Sequence, residues 1–387
     1  MDFTRAEEHD LLAAAVSDVA RSFGRGYFAA RVRAGEKVDD LWNALAQHGF
    51  LGVNLPEEFG GGGAGIVELS IVGEEVAAAG CPLLTTLVSP AICGELIARH
   101  GSDVQRSTWL PALATGSKMA FAITEPDAGS NSHRISTTAS PDGDVWRING
   151  AKTYISSVDE ADAILVVTRT GVDRETGRGR LSLFIVDADA KGLTKTLIPV
   201  EISLPDKQFQ LYFEEVGVRD DRLLGGEGEG LHVVFDGLNP ERIMSASLCN
   251  GVSRYALGVA TAYAKERKVW DGVSIGAHQG IAHPLAAGKI DLELARLMTQ
   301  RAAWLHDHAA RSAEAGEAAN MAKYAAAEAA ARCLDASIQT LGGNGMASEY
   351  GLADLWGVVR LLRIAPVSRE MILNFVAQRS LGLPKSY

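Results

Sequence analysis

The sequence predicts a mainly α-helical fold with a central β-barrel domain, because its pattern changes character twice. Apolar residues recur at three- and four-residue spacing over 4–113 and again from 231 onward, which is typical of amphipathic helices. Between 119 and 224, short apolar runs alternate with turn residues, which indicates strands of a small antiparallel barrel or sandwich. We therefore divide the chain into an N-terminal helical domain (1–118), a middle β-barrel domain (119–230) and a C-terminal helical domain (231–387).

The N-terminal domain is expected to contain several helices with one apolar face each. A glycine-rich break at 59–65 separates the first helices from another over 68–79. The apolar face of the first helix is formed by Leu11, Leu12, Val16, Val19 and Phe23.

Composition limits the location and the partners of the protein. The first ten residues carry four acidic side chains and lack the basic-then-apolar order of a signal peptide. No uncharged apolar run approaches the ~20 residues of a membrane span. The four cysteines lack paired spacing, as in proteins of reducing compartments. We therefore expect a cytoplasmic protein without a membrane span, and the net charge of −11 argues against nucleic-acid binding.

The β domain is expected to contain short strands joined by tight turns. Residues 145–148 alternate between apolar and polar, and 153–156 do so again. The Asn149–Gly150 pair between them predicts a type I′ hairpin turn. Further strands are expected over 163–168, 181–186 and 209–213.

The C-terminal domain is expected to be a helical bundle, since two apolar stripes run along it at helical spacing. Their number suggests an apolar surface that remains for other subunits. One stripe consists of Ile290, Leu294, Leu297, Arg301, Trp304 and Leu305. The other consists of Met321, Tyr324, Leu334, Ile338 and Leu341.

Common cofactor and metal motifs are absent from the sequence. There is no G-x-G-x-x-G after a strand and no phosphate-binding P-loop. We interpret the glycine-rich stretch 225–230 as a linker between strand and helix. His306 and His308 lie two residues apart on a helix and face different sides, so we expect no metal site.

Three segments have sequence patterns that suit a ligand-binding site as well as an ordinary structural role. In 121–131 a strand ends at a proline followed by small residues, which suits either a ligand contact or a tight turn. The glycines of 339–345 suit a helix C-cap or a close approach to a ligand or subunit. Arg267 and Lys268 complement a helix dipole, and the nearby Trp270 offers a stacking surface for a planar ring.

In this order and with these gaps, the segments resemble the acyl-CoA dehydrogenase family over essentially the whole chain. The resemblance is carried by 121–131, 149–156, 214–225, 263–279 and 339–345.

The resemblance implies a helical domain, a β-barrel domain and a four-helix bundle that bind FAD without a Rossmann motif. Carried over position by position, the cofactor-binding residues are Phe121, Ile123, Thr124, Ser130, Tyr154, Ile155, Ser156, Arg267, Trp270, His278, Gln279, Gln339, Gly342, Gly343, Ser368 and Glu370. Five of these reach the FAD of a neighbouring subunit in the family, namely Arg267, Trp270, Gln339, Gly342 and Gly343. A homo-oligomer follows, either a dimer or, by preference, a tetramer.

The implied reaction is α,β-dehydrogenation of an acyl-CoA thioester to the trans-2-enoyl-CoA, with an electron-transfer flavoprotein as electron acceptor. A base removes the Cα proton while hydride leaves Cβ for flavin N5. By the resemblance, Ser130, Asn239 and Arg242 contact the substrate.

The catalytic base is expected to be Glu241. Many family members carry the base glutamate near the C-terminus, where this sequence has Pro366. A minority, typified by isovaleryl- and long-chain acyl-CoA dehydrogenases, supply it from the position of Glu241. Locally, Asn239, Pro240 and Glu241 also make a good helix start, with a cap, a first-turn proline and an acid near the positive end of the helix dipole.

Departures from the family pattern keep two other functions open. Pro366 has no backbone N–H, a donor that in the family helps to hold the thioester oxygen. Asn131 stands where aspartate is common, and 357–360 lacks the usual Arg-Asp pair. The alternatives are a flavin monooxygenase or acyl-CoA oxidase on the same fold, or a weakly active partner subunit of a hetero-oligomer.

Overall fold

The computed structural model describes residues 6–270, 272–310 and 312–385. The first five residues, part of the segment from which the absence of a signal peptide was inferred, lie outside the described residues.

The N-terminal region is helical, as expected. Between its fourth and fifth helices the chain makes a π-helical turn, Ser89–Gly94. The sixth helix begins with a capping box, in which Gln105 N donates to Ser102 Oγ at 3.2 Å and Ser102 N donates to Gln105 Oε1 at 3.0 Å. The helices are α1 Glu7–Arg33, α2 Asp39–Gln47, α3 Ile66–Ala78, α4 Thr85–Val88, α5 Glu95–His100 and α6 Asp103–Ala114.

The middle region forms one eight-stranded sheet. Its strands are β1 Met119–Ala122, β2 Thr138–Asp142, β3 Val145–Ser156, β4 Ala163–Val172, β5 Gly179–Asp187, β6 Leu193–Ile198, β7 Gln208–Arg219 and β8 Leu223–Leu224. Their order is β6-β7-β3-β2-β4-β5-β8, with β1 parallel to β4. In the described part of the chain no strand pair joins β6 to β8, so a β domain is present but the expected closed barrel is not confirmed.

The prediction of a hairpin turn at Asn149–Gly150 is wrong. Strand β3 runs through both residues and pairs with β2 on one edge and β7 on the other. The register shifts at this point, and Asn149 Oδ1 accepts a hydrogen bond from Glu215 N of β7 at 2.9 Å. The turn lies instead at Gly143, whose φ of +68° is the left-handed conformation that glycine tolerates. Pairing with strands on both sides therefore overrides the local turn signal.

Long helices dominate the C-terminal region, where α9 packs against both α7 and α8. Buried alanines along α9, among them Ala319, Ala322 and Ala326, allow the helices to approach closely. A two-stranded ribbon, β9 Lys268–Val269 and β10 Val273–Ser274, connects the first two of these helices. The helices are α7 Gly230–Glu266, α8 Gln279–Ala309, α9 Ala313–Leu341, α10 Trp356–Ile364 and α11 Arg369–Phe375.

The prediction that a helix starts at Asn239 is also wrong. Helix α7 begins at Gly230 and continues through Pro240. The stretch 225–230 is the linker between β8 and α7, as expected. A proline inside a helix removes one backbone hydrogen bond, and the packing of α7 against α3, α8 and α9 supports the helix despite that loss. Asn239 does not serve as the cap: its Oδ1 accepts from Arg242 Nη1 at 2.8 Å.

The stripe on α8 points largely away from the chain. Ile290, Leu294, Leu297 and Trp304 are 48–62% exposed, whereas Leu305 is buried. An apolar surface therefore remains on this helix, as the sequence indicated. None of the described helices has the length and hydrophobicity needed to cross a bilayer.

Candidate active site

Glu241 lies inside α7, directly after Pro240. Its side chain keeps partial solvent access, yet burial raises its pKa to about 7, against the opposing effects of Arg242 and Lys323. Arg242 extends along the same helix to Asn239, and burial lowers the pKa of its guanidinium.

The π-helical turn Ser89–Gly94 packs against this part of α7. A side chain at Gly237 would come within 3.2 Å of Ile92, which shows how closely the two elements approach. Met119 N of β1 donates to Ser89 Oγ at 3.1 Å, so the turn is tied to the sheet. Burial, and then the Glu241 carboxylate, raise the pKa of the Cys93 thiol, which is therefore neutral. Short π-helical segments are frequent at functional sites.

The first group of expected FAD-binding residues lies on β1, its following loop and β3. Phe121 is buried at the end of β1, and Ile123 and Thr124 are half-buried just beyond it. Thr153 N of β3 donates to Thr124 O at 2.9 Å, which joins the two segments. Ser130 is exposed further along the loop.

On β3 the side chains alternate in exposure. Tyr154 is 63% exposed at a register shift of the strand, whereas Ile155 is buried in the β-domain core. Only the backbone of Ile155 is therefore available to a ligand. The Ser156 hydroxyl accepts from Gln208 Nε2 at 2.9 Å.

A buried ion pair holds these two segments together. Lys152 Nζ on β3 lies 2.9 Å from Glu125 Oε1 and donates to Ile123 O at 3.0 Å. Glu125 also accepts from Ser136 N at 2.7 Å and Thr137 N at 3.0 Å. Burial would raise the pKa of Glu125, but Lys152 and the hydrogen bonds outweigh it and hold the pKa at about 2. Burial lowers the pKa of Lys152 to about 8.

The second group of expected FAD-binding residues lies where α7 and α9 end. Arg267 and Gln339 are exposed, and Trp270 is 88% exposed. Asn344 Nδ2 donates to Tyr263 Oη at 3.1 Å, which brings the two helix ends together. His278 and Gln279 are exposed at the start of α8. Gly342 and Gly343 follow α9, and a side chain at either would meet no atom of this chain within 4 Å.

The remaining expected residues lie in the segment between α10 and α11. Pro366 follows a cis peptide bond, and Ser368 caps α11 by accepting from Met371 N at 3.2 Å. Glu370 is exposed in the first turn of that helix. Glu328 of α9 pairs with arginines on both sides of the segment, with Arg363 Nε at 2.9 Å and Arg369 Nε at 3.2 Å.

Three buried polar residues of the candidate active site could not be singled out from sequence motifs: Glu125, Lys152 and Lys323. Lys323 is buried on α9, and its Nζ donates to Val367 O at 2.6 Å. A lysine within an alanine-rich apolar stripe was the available signal for it. The partners of Glu125 and Lys152 are distant in sequence and left no such signal.

The histidines face different sides of α8, as expected. His306 is buried and lies 3.3 Å from Glu95 Oε1. His308 is exposed and stacks on Trp304 with ring centroids 4.4 Å apart. Across the described residues, no group of three or more potential ligands could hold a metal ion.

The residues present suit a flavin dinucleotide. Accessible aromatic rings at Tyr154 and Trp270 offer stacking surfaces, and Arg267 offers a cation for a pyrophosphate. The open space beside Gly342 and Gly343 allows a ligand to approach the backbone.

Three family models match the chain in order: the N-terminal domain of acyl-CoA dehydrogenase over 6–117, the middle domain over 120–216 and the C-terminal domain over 228–381. The chain belongs to the acyl-CoA dehydrogenase family. It is an oxidoreductase that acts on CH–CH groups, as expected from the sequence.

Relatives and solved structures agree with this assignment. Acyl-CoA dehydrogenase FadE12 of Mycobacterium tuberculosis (strain ATCC 25618 / H37Rv) is 53% identical over 386 residues, covering 100% of this chain and 99% of that protein. The glutaryl-coenzyme A dehydrogenase glutaryl-CoA complex has a TM-score of 0.94 at 28% identity, covering 100% of this chain and 98% of that one. The FAD complex of PigA has a TM-score of 0.90 at 26% identity, covering 99% and 100%. The family and its FAD-bound neighbours confirm FAD as the cofactor.

Proposed function

We propose that this protein dehydrogenates an acyl-CoA thioester between Cα and Cβ, with Glu241 as the catalytic base. The observation that carries the proposal is the Glu241 carboxylate, which lies inside α7 with partial solvent access and has a pKa raised by burial to about 7. A base works best when its pKa lies near the operating pH. The alternative base position holds Pro366, which cannot accept a proton.

In the proposed reaction, the Cα–H bond breaks, its proton passes to a carboxylate oxygen of Glu241, and its electron pair forms the new C=C bond. FAD, when bound, would supply the acceptor for the hydride from Cβ. Arg242 and Asn239, one turn of α7, contact the substrate beside the base, and Ser130 contacts it from the loop after β1. The product is the trans-2-enoyl-CoA.

The two groups of cofactor residues serve different parts of FAD. Phe121, Ile123, Thr124 and the β3 residues would hold the isoalloxazine ring. Arg267, Trp270 and the glycines after α9 would hold the pyrophosphate and adenosine of a neighbouring subunit's FAD. The proposal therefore includes a homo-oligomer, by preference a tetramer.

The exposed apolar stripe of α8 supports contacts between subunits. We further propose an electron-transfer flavoprotein as electron acceptor and a cytoplasmic location. Sedimentation equilibrium of the flavin-loaded protein tests the assembly, and a monomeric mass would contradict it.

Anaerobic bleaching of the oxidised flavin by a panel of saturated acyl-CoAs tests the reaction and the substrate size together. We expect Glu241→Gln to bind the same acyl-CoA but to bleach about 10²- to 10⁴-fold more slowly, because the general base is lost. Glu75→Gln is the matched control, since it alters a buried glutamate of α3 that pairs with Arg254. A Glu241→Gln variant with wild-type bleaching would remove Glu241 from the mechanism.

Pro366 favours a second candidate, an acyl-CoA oxidase or flavin monooxygenase, because a monooxygenase on this fold does not require the base carboxylate. Stopped-flow mixing of the reduced flavin with oxygen distinguishes the two. Rapid reoxidation would support the second candidate, and slow reoxidation supports the dehydrogenase.

A further inference from the structure

Strand β3 ends with two residues in the left-handed backbone conformation, although neither is glycine. Tyr154 has a φ of +55° and Ser157 a φ of +58°, and the two enclose Ile155 and Ser156. The register of β3 with β7 shifts in the same stretch, between Lys152 and Ile155. Non-glycine residues keep such a backbone only where surrounding contacts impose it, and they cluster at functional sites. The contacts that hold this end of β3 therefore bear on its function.

The segment 206–208, which leads into β7, holds Ser156 and Ser157. Ser157 N donates to Lys207 O at 2.9 Å, and the Ser157 hydroxyl donates to Asp206 Oδ1 at 3.3 Å. Gln208 Nε2 donates to Ser156 Oγ at 2.9 Å and to Asp206 O at 3.3 Å. One short segment therefore fixes both serines at the end of β3.

The Asp206 carboxylate also holds the start of α4. Its Oδ1 accepts from Thr85 N at 2.9 Å and from Thr85 Oγ1 at 2.5 Å, and its Oδ2 accepts from Leu84 N at 3.4 Å. Asp206 is 4% exposed, and among the ion pairs of the described residues none includes it. Burial of a carboxylate without a cation is costly unless donors surround it. The donors of Leu84, Thr85 and Ser157 compensate for that cost.

Helix α4 connects this carboxylate to the side of the site that carries the proposed base. The helix runs directly into the π-helical turn Ser89–Gly94, whose Ile92 approaches α7 at Gly237, close to Glu241. The end of β3, on the other side of Asp206, belongs to the strand that would hold the flavin ring. One buried carboxylate thus contacts an element from each side and fixes their spacing.

We propose that Asp206 is a positioning residue for FAD, whose carboxylate joins α4 to the left-handed end of β3 and keeps Ser156 in place for the flavin ring. The inference rests on the proposed placement of the flavin ring beside β3. It gives a role to a residue that does not itself contact FAD or the substrate in the proposed site.

The test uses the FAD-loaded protein and compares Asp206→Ala with Asp206→Asn. The first readout is the rate of FAD release after dilution, followed by flavin fluorescence, and the second is the visible circular dichroism of the bound flavin. Neither needs turnover. Asp307→Ala is the matched control, because Asp307 also accepts from two backbone N–H groups at a helix start, those of Ile66 at 2.9 Å and Val67 at 3.0 Å, but on α3. Denaturant unfolding of each variant separates lost stability from lost FAD binding.

We expect Asp206→Ala to release FAD about tenfold faster or more, as loss of hydrogen bonds to a charged group does, and to change the flavin dichroism. Asp206→Asn keeps an acceptor at the position of Oδ1, so its release rate should stay within about threefold of wild type. Asp307→Ala should be less stable but keep the wild-type release rate and dichroism. If Asp206→Ala does not fold, Ser157→Ala decides, because it removes the hydroxyl that reaches Asp206 and should also accelerate release.

Wild-type release and dichroism in Asp206→Ala, or in Ser157→Ala where that variant decides, would overturn the role of Asp206. Equal acceleration in Asp307→Ala would overturn it too, because FAD loss would then follow general destabilisation. Ser156→Ala tests the placement of the flavin separately. Wild-type release and dichroism in that variant would refute the placement on which the inference rests, whereas a changed Ser156→Ala beside an unchanged Asp206→Ala would remove Asp206 alone.

Discussion

Two buried lysines, one in the β domain and one in the helical bundle, serve this protein in different ways. Lys152 meets a carboxylate at 2.9 Å, whereas Lys323 meets a backbone carbonyl at 2.6 Å. Among the ion pairs of the described residues, none includes Lys323. Burial lowers the pKa of both ammonium groups to about 8. The comparison teaches that equal burial does not imply equal partners: Lys152 joins β3 to the loop after β1 through an ion pair, whereas Lys323 joins α9 to the segment before α11 through a hydrogen bond.

The largest effect is expected from Lys152→Met, which leaves the Glu125 carboxylate buried without its cation. We expect the free energy of unfolding to fall by roughly 3–5 kcal/mol, together with loss of bound FAD. Denaturant titration and the flavin content of the purified protein measure both. The double variant Lys152→Met/Glu125→Gln should recover most of the stability, since no lone charge remains. Wild-type stability in the single variant would show that the pair is dispensable.

A smaller effect is expected when Glu125 titrates in the wild-type protein. Its pKa in the folded state, about 2, lies below the ordinary value of 4.5, so its contribution is present above pH 4.5. That contribution is lost as pH falls from 4.5 through about 2, with a slope of at most about 1.4 kcal/mol per pH unit. Denaturant titration at several pH values, with the double variant as reference, isolates it. Parallel curves for the two proteins would argue against a salt bridge.

The smallest stability effect is expected from Lys323→Met. This change removes a buried charge and leaves one carbonyl, that of Val367, without its donor, which costs about 1–2 kcal/mol. Thermal and denaturant unfolding should therefore separate the two methionine variants clearly, with Lys152→Met the less stable. A loss as large as that of Lys152→Met would contradict this order.

Predictions of secondary structure from the sequence were reliable where the same apolar periodicity extends over many residues. The alternation of helix, strand and helix was visible because apolar periodicity extends over many residues. The pair Asn149–Gly150 and the proline at 240 were misleading because each is a short signal. Strand pairing on two edges overrode the turn signal of Asn149–Gly150, and the packing of α7 against neighbouring helices overrode the helix-start signal at Pro240.

Some features of the candidate site could be predicted from the sequence, and others could not. Glu241 was identified from the sequence by the proline at 366 and by resemblance, and neither requires coordinates. The contacts of Lys152 with Glu125 and of Lys323 with Val367 span 27 and 44 residues of sequence. No periodicity or motif connects residues at such separations.

By itself, the sequence determined the family, the cofactor and the best candidate for the base, because motif order and residue chemistry are properties of the chain. Only the tertiary structure decided that Glu241 lies inside a helix rather than at its start, with a pKa raised by burial to about 7. Desolvation raises that pKa against the opposing charges of Arg242 and Lys323, and the desolvation arises only when distant helices pack together.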